Sequence, residues 1–328
     1  MERIFVNASA AKSGGAATIL NKFVVTKAND EDVQYVIASP IRPSNLGDNQ
    51  TWVKKSTSLF GTIFYALIGA WFSSRYYKCN TIISFSNVNA LFPIKKITYF
   101  HNILIIKGTT LKWKGIRSLA RLTMKSNTIV VQTPYVRKEF RECFGKRANV
   151  IVRWPGIDID GARPHKNNEL SNCQVKQMFT ILVPITNTNL KHKNFDLVLE
   201  LAKKSLDYSV RFLVTTDYDP SKHEDIENIE YVGAKSRDDY LNLLSSVDAT
   251  IVTSTLETVG LPIFESLAYH KFCFVFRQEY LVGITELFGE LSGLLEFSTK
   301  DEFISAYLKT SNSLPNYESA FLDGDWNF

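Results

Sequence analysis

The sequence predicts an α/β protein with two Rossmann-like domains, each built on a parallel β-sheet. The chain has 328 residues, more than one hydrophobic core usually fills, so two domains of roughly 150 residues each are expected. Short β-rich runs alternate with longer helical patterns through both halves, which is typical of parallel sheets covered by helices. Most of these runs are continuously apolar, as strands buried on both faces should be.

Five strands are predicted in each half of the chain. They lie at 4–7, 33–38, 81–85, 97–100 and 128–133 in the first half, and at 179–183, 210–215, 229–232, 249–253 and 273–276 in the second. Ligands of open α/β sheets bind beyond the carboxyl ends of the strands. Residues that directly follow a strand are therefore the first candidates for function.

A segment with two glycines and two prolines, 154–164, predicts a hinge between the halves. The expected divisions are a first domain at 1–155, a hinge at 156–168, a second domain at 169–310 and a tail at 311–328. The four cysteines are scattered, which is typical of a reducing compartment. No apolar run reaches the roughly 18 residues of a membrane-spanning helix, and the first residues lack the apolar core of a signal peptide.

Charge is distributed unequally between the two halves. Residues 1–160 carry a net charge of +14, and residues 161–328 carry a net charge of −9. Between Asp48 and Glu139 there are 14 Lys and Arg residues and no acidic residue. This polarity predicts that the first domain meets an anionic partner.

The most informative functional pattern is Ser-Thr-Leu-Glu-Thr-Val-Gly-Leu-Pro-Ile-Phe-Glu at 254–265, directly after a buried strand. Gly260 permits close approach of a ligand to the backbone, and Pro262 is well placed to open a helix. Backbone N–H groups at a helix start can hold a phosphate or sugar oxygen, and a carboxylate such as Glu265 can accept hydrogen bonds from a vicinal diol. An isolated Glu265 would be explained by the helix dipole and an isolated Glu257 by solvation. The complete order of residues favours a ligand site.

Two glutamates with seven residues between them, and Gly-Leu-Pro inside that interval, resemble the signature of glycosyltransferase family 4. Members of this family are retaining enzymes of the GT-B fold. Other segments resemble family motifs in the same order along the chain. They are the glycine loop at 13–16, the strand-end His segment at 99–102, the strand at 131–135, the second-domain entry at 155–158, the Lys-Asn site at 191–194 and the base-recognition turn at 231–233. The resemblance implies two facing Rossmann-like domains with a catalytic cleft between them.

The resemblance also implies roles for residues of the second domain. Glu265 would grip the ribose of a nucleotide-sugar donor, and Glu257 would act catalytically beside the transferred sugar. Lys193 would neutralise the leaving diphosphate, a task that a metal performs in other enzymes, so neither a metal nor another cofactor is expected. The remaining expected donor contacts are Asn194, Gly233, Val259, Gly260 and Leu261.

In the first domain, the resemblance implies a catalytic role for His101 on the acceptor side, near the anomeric carbon. Gly14 and Gly15 would let the backbone close over the phosphates. The chain departs from the family where the first strand of the second domain ends, because 183–186 reads Val-Pro-Ile-Thr instead of ending in Gly-Arg. Either Lys191 or another cation replaces that arginine, or the donor binds weakly.

Two segments of the first domain favour contact with an anionic membrane surface. Residues 111–125 predict an amphipathic helix with a basic face, and residues 59–72 are apolar and flanked by basic residues, which suits an interfacial position. The expected membrane-facing or acceptor-facing cations are Lys112, Lys114, Arg117, Arg121 and Lys125. Core helices with a solvated basic face are the alternative for both segments. Nucleic acid is a competing anion, but no nucleic-acid-binding motif is visible.

Three Asp-x-Asp triplets, at 158–160, 217–219 and 323–325, have the spacing of Mg²⁺ or Mn²⁺ ligands. The first triplet is explained by its place in the hinge, and the third lies in the predicted tail. No metal is therefore assigned, and the triplet at 217–219 is the remaining candidate. By analogy with the last helix of the family, the tail is expected to cross back onto the first domain.

Together these patterns predict a retaining hexosyltransferase that uses a UDP- or GDP-linked sugar. The expected acceptor is a glycan or a polyprenyl-diphosphate-linked glycan, in bacterial O-antigen, capsule or lipopolysaccharide assembly. The expected location is cytoplasmic, peripheral on the inner face of the plasma membrane. Two alternatives stay open: a GT-B sugar-phosphate synthase or epimerase, and a non-catalytic adaptor that binds membranes or polyanions.

Overall fold

The structure, a computed structural model, describes residues 1–124, 127–146, 148–157, 178–221, 223–310, 315 and 319–328. The chain forms two compact units. The first consists of Met1–Asp158, Val282–Leu287 and Asp323–Phe328, and the second of Ile159–Leu281 and Phe288–Leu322. Most of the predicted hinge, the triplet at 158–160 and much of the predicted tail lie outside the described residues.

The first unit contains a seven-stranded parallel sheet. Its strands are β1 (Glu2–Asn7), β2 (Val33–Ser39), β3 (Gln50–Lys54), β4 (Thr81–Ser84), β5 (Lys95–Tyr99), β6 (Thr128–Val131) and β7 (Asn149–Val152). Its helices are α1 (Gly14–Lys27), α2 (Leu59–Phe64), α3 (Ala70–Tyr76), α4 (Leu104–Lys107), α5 (Leu111–Thr123) and α6 (Pro134–Phe144), and a π-helical turn at Tyr65–Gly69 joins α2 to α3. The strand order is β3-β2-β1-β4-β5-β6-β7, which is the doubly wound order of dinucleotide-binding sheets with one strand added.

The second unit contains a six-stranded parallel sheet. Its strands are β8 (Phe179–Val183), β9 (Val210–Val214), β10 (Ile229–Tyr231), β11 (Ala249–Val252), β12 (Phe272–Phe276) and β13 (Leu294–Phe297). The helices in this half of the chain are α7 (Phe195–Lys204), α8 (Arg237–Ser246), α9 (Leu261–Ala268), α10 (Tyr280–Phe288) and α11 (Lys300–Thr310). The order β10-β9-β8-β11-β12-β13 repeats the doubly wound arrangement.

The predicted α/β class with parallel sheets is confirmed, and each predicted strand is present with small differences at its ends. Sequence reasoning missed β3, β7 and β13, which all lie at an edge of their sheet. An edge strand has one neighbour and partial burial, so it is short and mixes polar with apolar residues. The burial of β3 illustrates this, because only Gln50 of its five residues is buried.

The end of the chain belongs to the first unit. Trp326 is 3% exposed, and its ring centroid lies 5.3 Å from that of Phe23 and 5.4 Å from that of Tyr99. The backbone N–H of Asp325 donates to the carbonyl oxygen of Trp154 at 2.8 Å. The last residues therefore complete the core that α1 and β5 begin.

Candidate functional site

The carboxylate motif of the second unit follows β11, at the point where the strand order of the sheet reverses. β8 and β11 are parallel neighbours, and the chain continues from them toward opposite edges of the sheet. Ligands of doubly wound sheets bind outside the strand ends at this point. A small pocket opens there, lined by Pro184, Ile185, Lys193, Thr253 and Glu257 among others.

Lys193 and Glu257, both lining this pocket, form an ion pair in which Nζ lies 2.6 Å from Oε1. Lys193 ends a short 3₁₀ turn that is tied to the loop after β11. The Thr253 hydroxyl donates to the carbonyl oxygen of Lys193 at 2.8 Å, and the backbone N–H of Thr255 donates to that of His192, also at 2.8 Å. The structure thus brings together the predicted diphosphate-side cation and the predicted sugar-side carboxylate.

The start of α7 lies directly beside this ion pair. Asn194, in the left-handed conformation with φ 52° and ψ 51°, is the N-cap of α7. A helix N-terminus carries a partial positive charge, which adds to that of Lys193. Burial and the neighbouring Lys193 lower the pKa of His192, so its imidazole is neutral at pH values near 7.

Glu265 is 3% exposed, and α8 supplies a donor to each of its carboxylate oxygens. Nη1 of Arg237 donates to Oε1 at 2.6 Å, and the Tyr240 hydroxyl donates to Oε2 at 3.0 Å. Burial, followed by the charge of Glu265, raises the pKa of Tyr240, so its hydroxyl keeps its proton. A carboxylate accepts about four hydrogen bonds, so these two donors use about half of its accepting capacity.

The loop between Glu257 and α9 depends on a glycine. Gly260 has φ +70° and is the N-cap of α9, and a β-carbon at this position would lie 2.9 Å from Cδ1 of Ile263. The proline of the motif stands in the first turn of α9, as predicted. Val259 is buried and Leu261 is half-buried, so the candidate donor contacts in this loop are mainly backbone groups.

The turn after β10 contains the other predicted donor glycine. Gly233 has φ +76°, and its N–H donates to the carbonyl oxygen of Thr216 at 3.1 Å. A β-carbon on Gly233 would lie 3.0 Å from Oδ1 of Asp217, so the second Asp triplet packs against this turn. The His223 ring stacks on Tyr231 at 4.8 Å and 10°. Across the described part of the chain, no group of three or more His, Cys, Asp and Glu residues has the geometry of a metal site.

The predicted residues of the first unit lie at the carboxyl edge of its sheet. Gly14, with φ +59°, and Gly15 are exposed and begin α1 after β1. His101 follows β5, and its backbone N–H donates to Oδ1 of Asn87 at 2.8 Å. Burial lowers the pKa of the His101 imidazole to about 4, so this ring is neutral at pH values near 7.

No family model matches the chain, and no curated protein sequence matches it. Sucrose-phosphate synthase from Thermosynechococcus elongatus is similar in structure, with a TM-score of 0.70 and 13% identity over 94% of this chain and 89% of that chain. Anabaena HepE in complex with UDP-glucose gives 0.66 and 13% over 98% and 92%. WaaG, a glycosyltransferase involved in lipopolysaccharide biosynthesis, gives 0.65 and 12% over 95% and 90%. The chain has the GT-B fold.

Two residues of the candidate site in this GT-B chain, Arg237 and Tyr240, were missed by sequence reasoning. They stand three positions apart on α8, so they share one face of the helix. The sequence indicated these two residues only indirectly. A buried carboxylate requires a charged or hydrogen-bonding partner, and the expected strand-end arginine was missing.

Arg117, assigned from the sequence to a membrane-facing or acceptor-facing surface, makes contacts within the first unit. It is half-buried, and its guanidinium donates to the carbonyl oxygens of Ile105, Ile106 and Gly108 at 2.7, 2.5 and 2.7 Å. It therefore caps the end of α4. Sequence periodicity placed it on the basic face of α5 but could not show that α4 ends against that face.

The other predicted cations of α5 differ in their surroundings. Lys112 and Lys114 are exposed. Arg121 is exposed as well, and its Nη2 donates to the carbonyl oxygen of Cys143 at 3.1 Å. Lys125 lies outside the described residues. None of the helices that the structure describes is long and apolar enough to cross a membrane.

Proposed function

We propose that the protein is a retaining glycosyltransferase that moves a hexosyl group from a nucleotide-sugar to a glycan or a polyprenyl-diphosphate-linked acceptor. The observation that carries this proposal is the Lys193–Glu257 ion pair in the pocket between the ends of β8 and β11. A nucleotide-sugar presents a diphosphate, a sugar and a ribose. We assign Lys193 to the diphosphate, Glu257 to the sugar and Glu265 to the ribose.

The chemical step breaks the bond between the anomeric carbon and the diphosphate and forms a bond from the acceptor oxygen on the same face of the sugar. The acceptor proton passes to the departing phosphate oxygen. Negative charge grows on the leaving diphosphate, and a fixed cation there lowers the barrier by several kcal/mol. We assign this role to Lys193, assisted by the N-terminus of α7. No metal or other cofactor takes part in this proposal.

We assign the remaining donor contacts to Asn194, Gly233 and the backbone at 259–261, with Gly14 and Gly15 approaching the phosphates from the first unit. His101 serves the acceptor. Its neutral imidazole, kept so by burial, can exchange hydrogen bonds with a hydroxyl group without adding charge near the anomeric carbon.

Assembly of bacterial surface polysaccharide, on the cytoplasmic face of the plasma membrane, is the setting we propose. The excess of cations in the first half of the chain supports an anionic, lipid-linked acceptor at a membrane surface. The structural similarity to WaaG, which is involved in lipopolysaccharide biosynthesis, is consistent with this setting.

Calorimetric titration with UDP and GDP, each with and without EDTA, tests the donor site. One nucleotide should bind, EDTA should not change its affinity, and Glu265→Ala should abolish binding. The matched control is Glu227→Ala, an exposed glutamate of the same unit, which should bind as the wild type does. Failure of the wild-type protein to bind either nucleotide would contradict the proposal.

The structural similarity to sucrose-phosphate synthase favours one second candidate, a sugar-phosphate synthase that uses the same donor site. The two reactions differ in the acceptor, a soluble sugar phosphate or a lipid-linked glycan. Incubation with labelled nucleotide-sugar and each acceptor class separates them, because the label partitions into water in one case and into organic solvent in the other.

A further inference from the structure

The continuous helix formed by α2, the π-helical turn and α3 exposes four aromatic side chains. These are Phe60 (83% exposed), Phe64 (64%), Phe72 (60%) and Tyr76 (79%), which we call the aromatic stripe. The opposite side of the same helix is buried, with Tyr65, Ala66 and Ala70 in the core of the first unit. Exposed aromatic residues in a continuous row are uncommon on soluble surfaces and mark contact sites.

The π-helical turn keeps these aromatic residues in one row. In an α-helix, a step of four residues overshoots a full turn by about 40°, so residues spaced by four drift around the helix. The turn at Tyr65–Gly69 bonds i to i+5 and contains more residues per turn, which brings Phe72 back into line with Phe64. Gly69 permits this turn, because a β-carbon there would collide with the ring of Tyr65.

The stripe continues onto the loop that precedes β5. The ring of Phe92, 38% exposed, lies 6.4 Å from that of Phe72 and 4.8 Å from that of Trp71. The guanidinium of Arg75 stands 5.8 Å from the Trp71 ring. An aromatic cluster and a basic side chain therefore share this surface.

The charge around the stripe is positive. Lys54, Arg75 and Lys78 are exposed near it, and residues 49–138 contain no acidic residue. The connections β3-α2-α3-β4 and β5-α4-α5-β6 cross the sheet in the same direction, and right-handed crossovers then place their helices on the same face of the sheet. Leu111, 86% exposed, and the exposed lysines of α5 thus lie on the face that carries the stripe.

We infer that the aromatic stripe docks the protein onto an anionic lipid surface, with Phe60, Phe64 and Phe72 entering the headgroup region. Aromatic side chains favour the membrane–water interface, and Lys and Arg beside them attract anionic headgroups. A second copy of this chain is a poor occupant, because it would bring an equally basic surface against this one. The inference rests on the proposed function in that it locates the lipid-linked acceptor. Of the two segments that the sequence predicts at a membrane surface, it selects the one at 59–72, which forms α2, the π-helical turn and the start of α3.

Co-sedimentation of the full chain with vesicles tests the inference. The wild-type protein should sediment with vesicles that contain phosphatidylglycerol and much less with phosphatidylcholine alone. Phe64→Ser/Phe72→Ser should weaken sedimentation about tenfold or more, since two large apolar side chains lose their burial. The matched control, Leu206→Ser/Leu308→Ser, changes two exposed apolar residues of the second unit and should sediment like the wild type.

Four further readouts make the result decisive. Arg75→Glu/Lys78→Glu should also weaken sedimentation, and addition of salt should weaken that of the wild type. The inference would be overturned if the Phe64→Ser/Phe72→Ser variant sedimented like the wild type. It would also be overturned if light scattering showed that the wild-type protein is a dimer and that this variant is a monomer. Nucleotide titration of the same samples separates the two proposals. If the wild-type protein binds UDP or GDP and the Phe64→Ser/Phe72→Ser variant sediments like the wild type, only the docking surface is contradicted. If the wild-type protein binds neither nucleotide but its sedimentation depends on the aromatic stripe, only the donor site is contradicted.

Discussion

Arg237 and Glu265 form an ion pair in the candidate donor site, with Nη1 2.6 Å from Oε1. The side chain of Glu265 is 4% exposed and that of Arg237 is 35% exposed. A carboxylate this buried needs its cation, because loss of one partner leaves an uncompensated charge away from water. Arg237 therefore supports both the folding of the second unit and the position of the Glu265 carboxylate.

Arg237→Ala should lower the free energy of unfolding by about 3 kcal/mol. Arg211→Ala is the matched control, because Arg211 lies 3.6 Å from Glu230 in an exposed pair that contributes about 1 kcal/mol or less. Urea denaturation of both variants measures the difference. Adding Glu265→Gln to Arg237→Ala should recover part of the loss, and equal effects of the two single arginine variants would refute the role of Arg237.

Tyr240→Phe should weaken nucleotide binding severalfold and lower the free energy of unfolding by about 1 kcal/mol. The substitution removes the hydrogen bond to Oε2 of Glu265, which orients the carboxylate that we propose binds the ribose. A nucleotide that lacks the ribose 2′-hydroxyl should be affected less than the normal nucleotide. Calorimetric titration with both nucleotides checks this, and equal losses for the two would show that Tyr240 does not act through the ribose.

The sequence allowed prediction of the buried strands and of the motif after β11, because both are local patterns. The two partners in the Lys193–Glu257 ion pair could be named separately, but their contact depends on the pairing of β8 with β11. Arg237 and Tyr240 were missed because the helix that faces a buried carboxylate cannot be read from spacing. The same reason applies to Arg117. Its charge could be read from the sequence, but its hydrogen bonds to carbonyl groups at the end of α4 could not.

Lys193→Met should reduce the turnover number about 100-fold or more and weaken donor binding by a smaller factor. In the proposed reaction, the lysine acts most on the charge that develops on the leaving diphosphate, so the transition state loses more stabilisation than the ground state. Steady-state kinetics with a nucleotide-sugar donor measure both effects. Lys191→Met is the control, since Lys191 is exposed, and a similar loss in that variant would instead make Lys191 the compensating cation.

Acid should destabilise the first unit through His101. Burial depresses the pKa of His101 from 6.5 to about 4. Between these two pH values, His101 is protonated in the unfolded chain and neutral in the folded chain. The resulting stability is present above pH 6.5 and is lost as the pH falls toward about 4. His101→Gln should flatten this part of the stability profile. Denaturation midpoints at a series of pH values test it, and an unchanged slope would show that the ring is not buried in a neutral state.

Trp326→Ala should destabilise the first unit by about 3 to 5 kcal/mol, because it empties the space between α1 and β5. Asn327→Ala is the matched control, since the side chain of Asn327 is exposed and the substitution keeps its backbone groups. Hydrogen exchange should show faster opening in α1 and β5 of the tryptophan variant. Deletion of 323–328 should act more strongly still, because it also removes the hydrogen bond from Asp325 to Trp154. Wild-type protection of α1 and β5 in the deletion variant would mean that the first unit folds without the end of the chain.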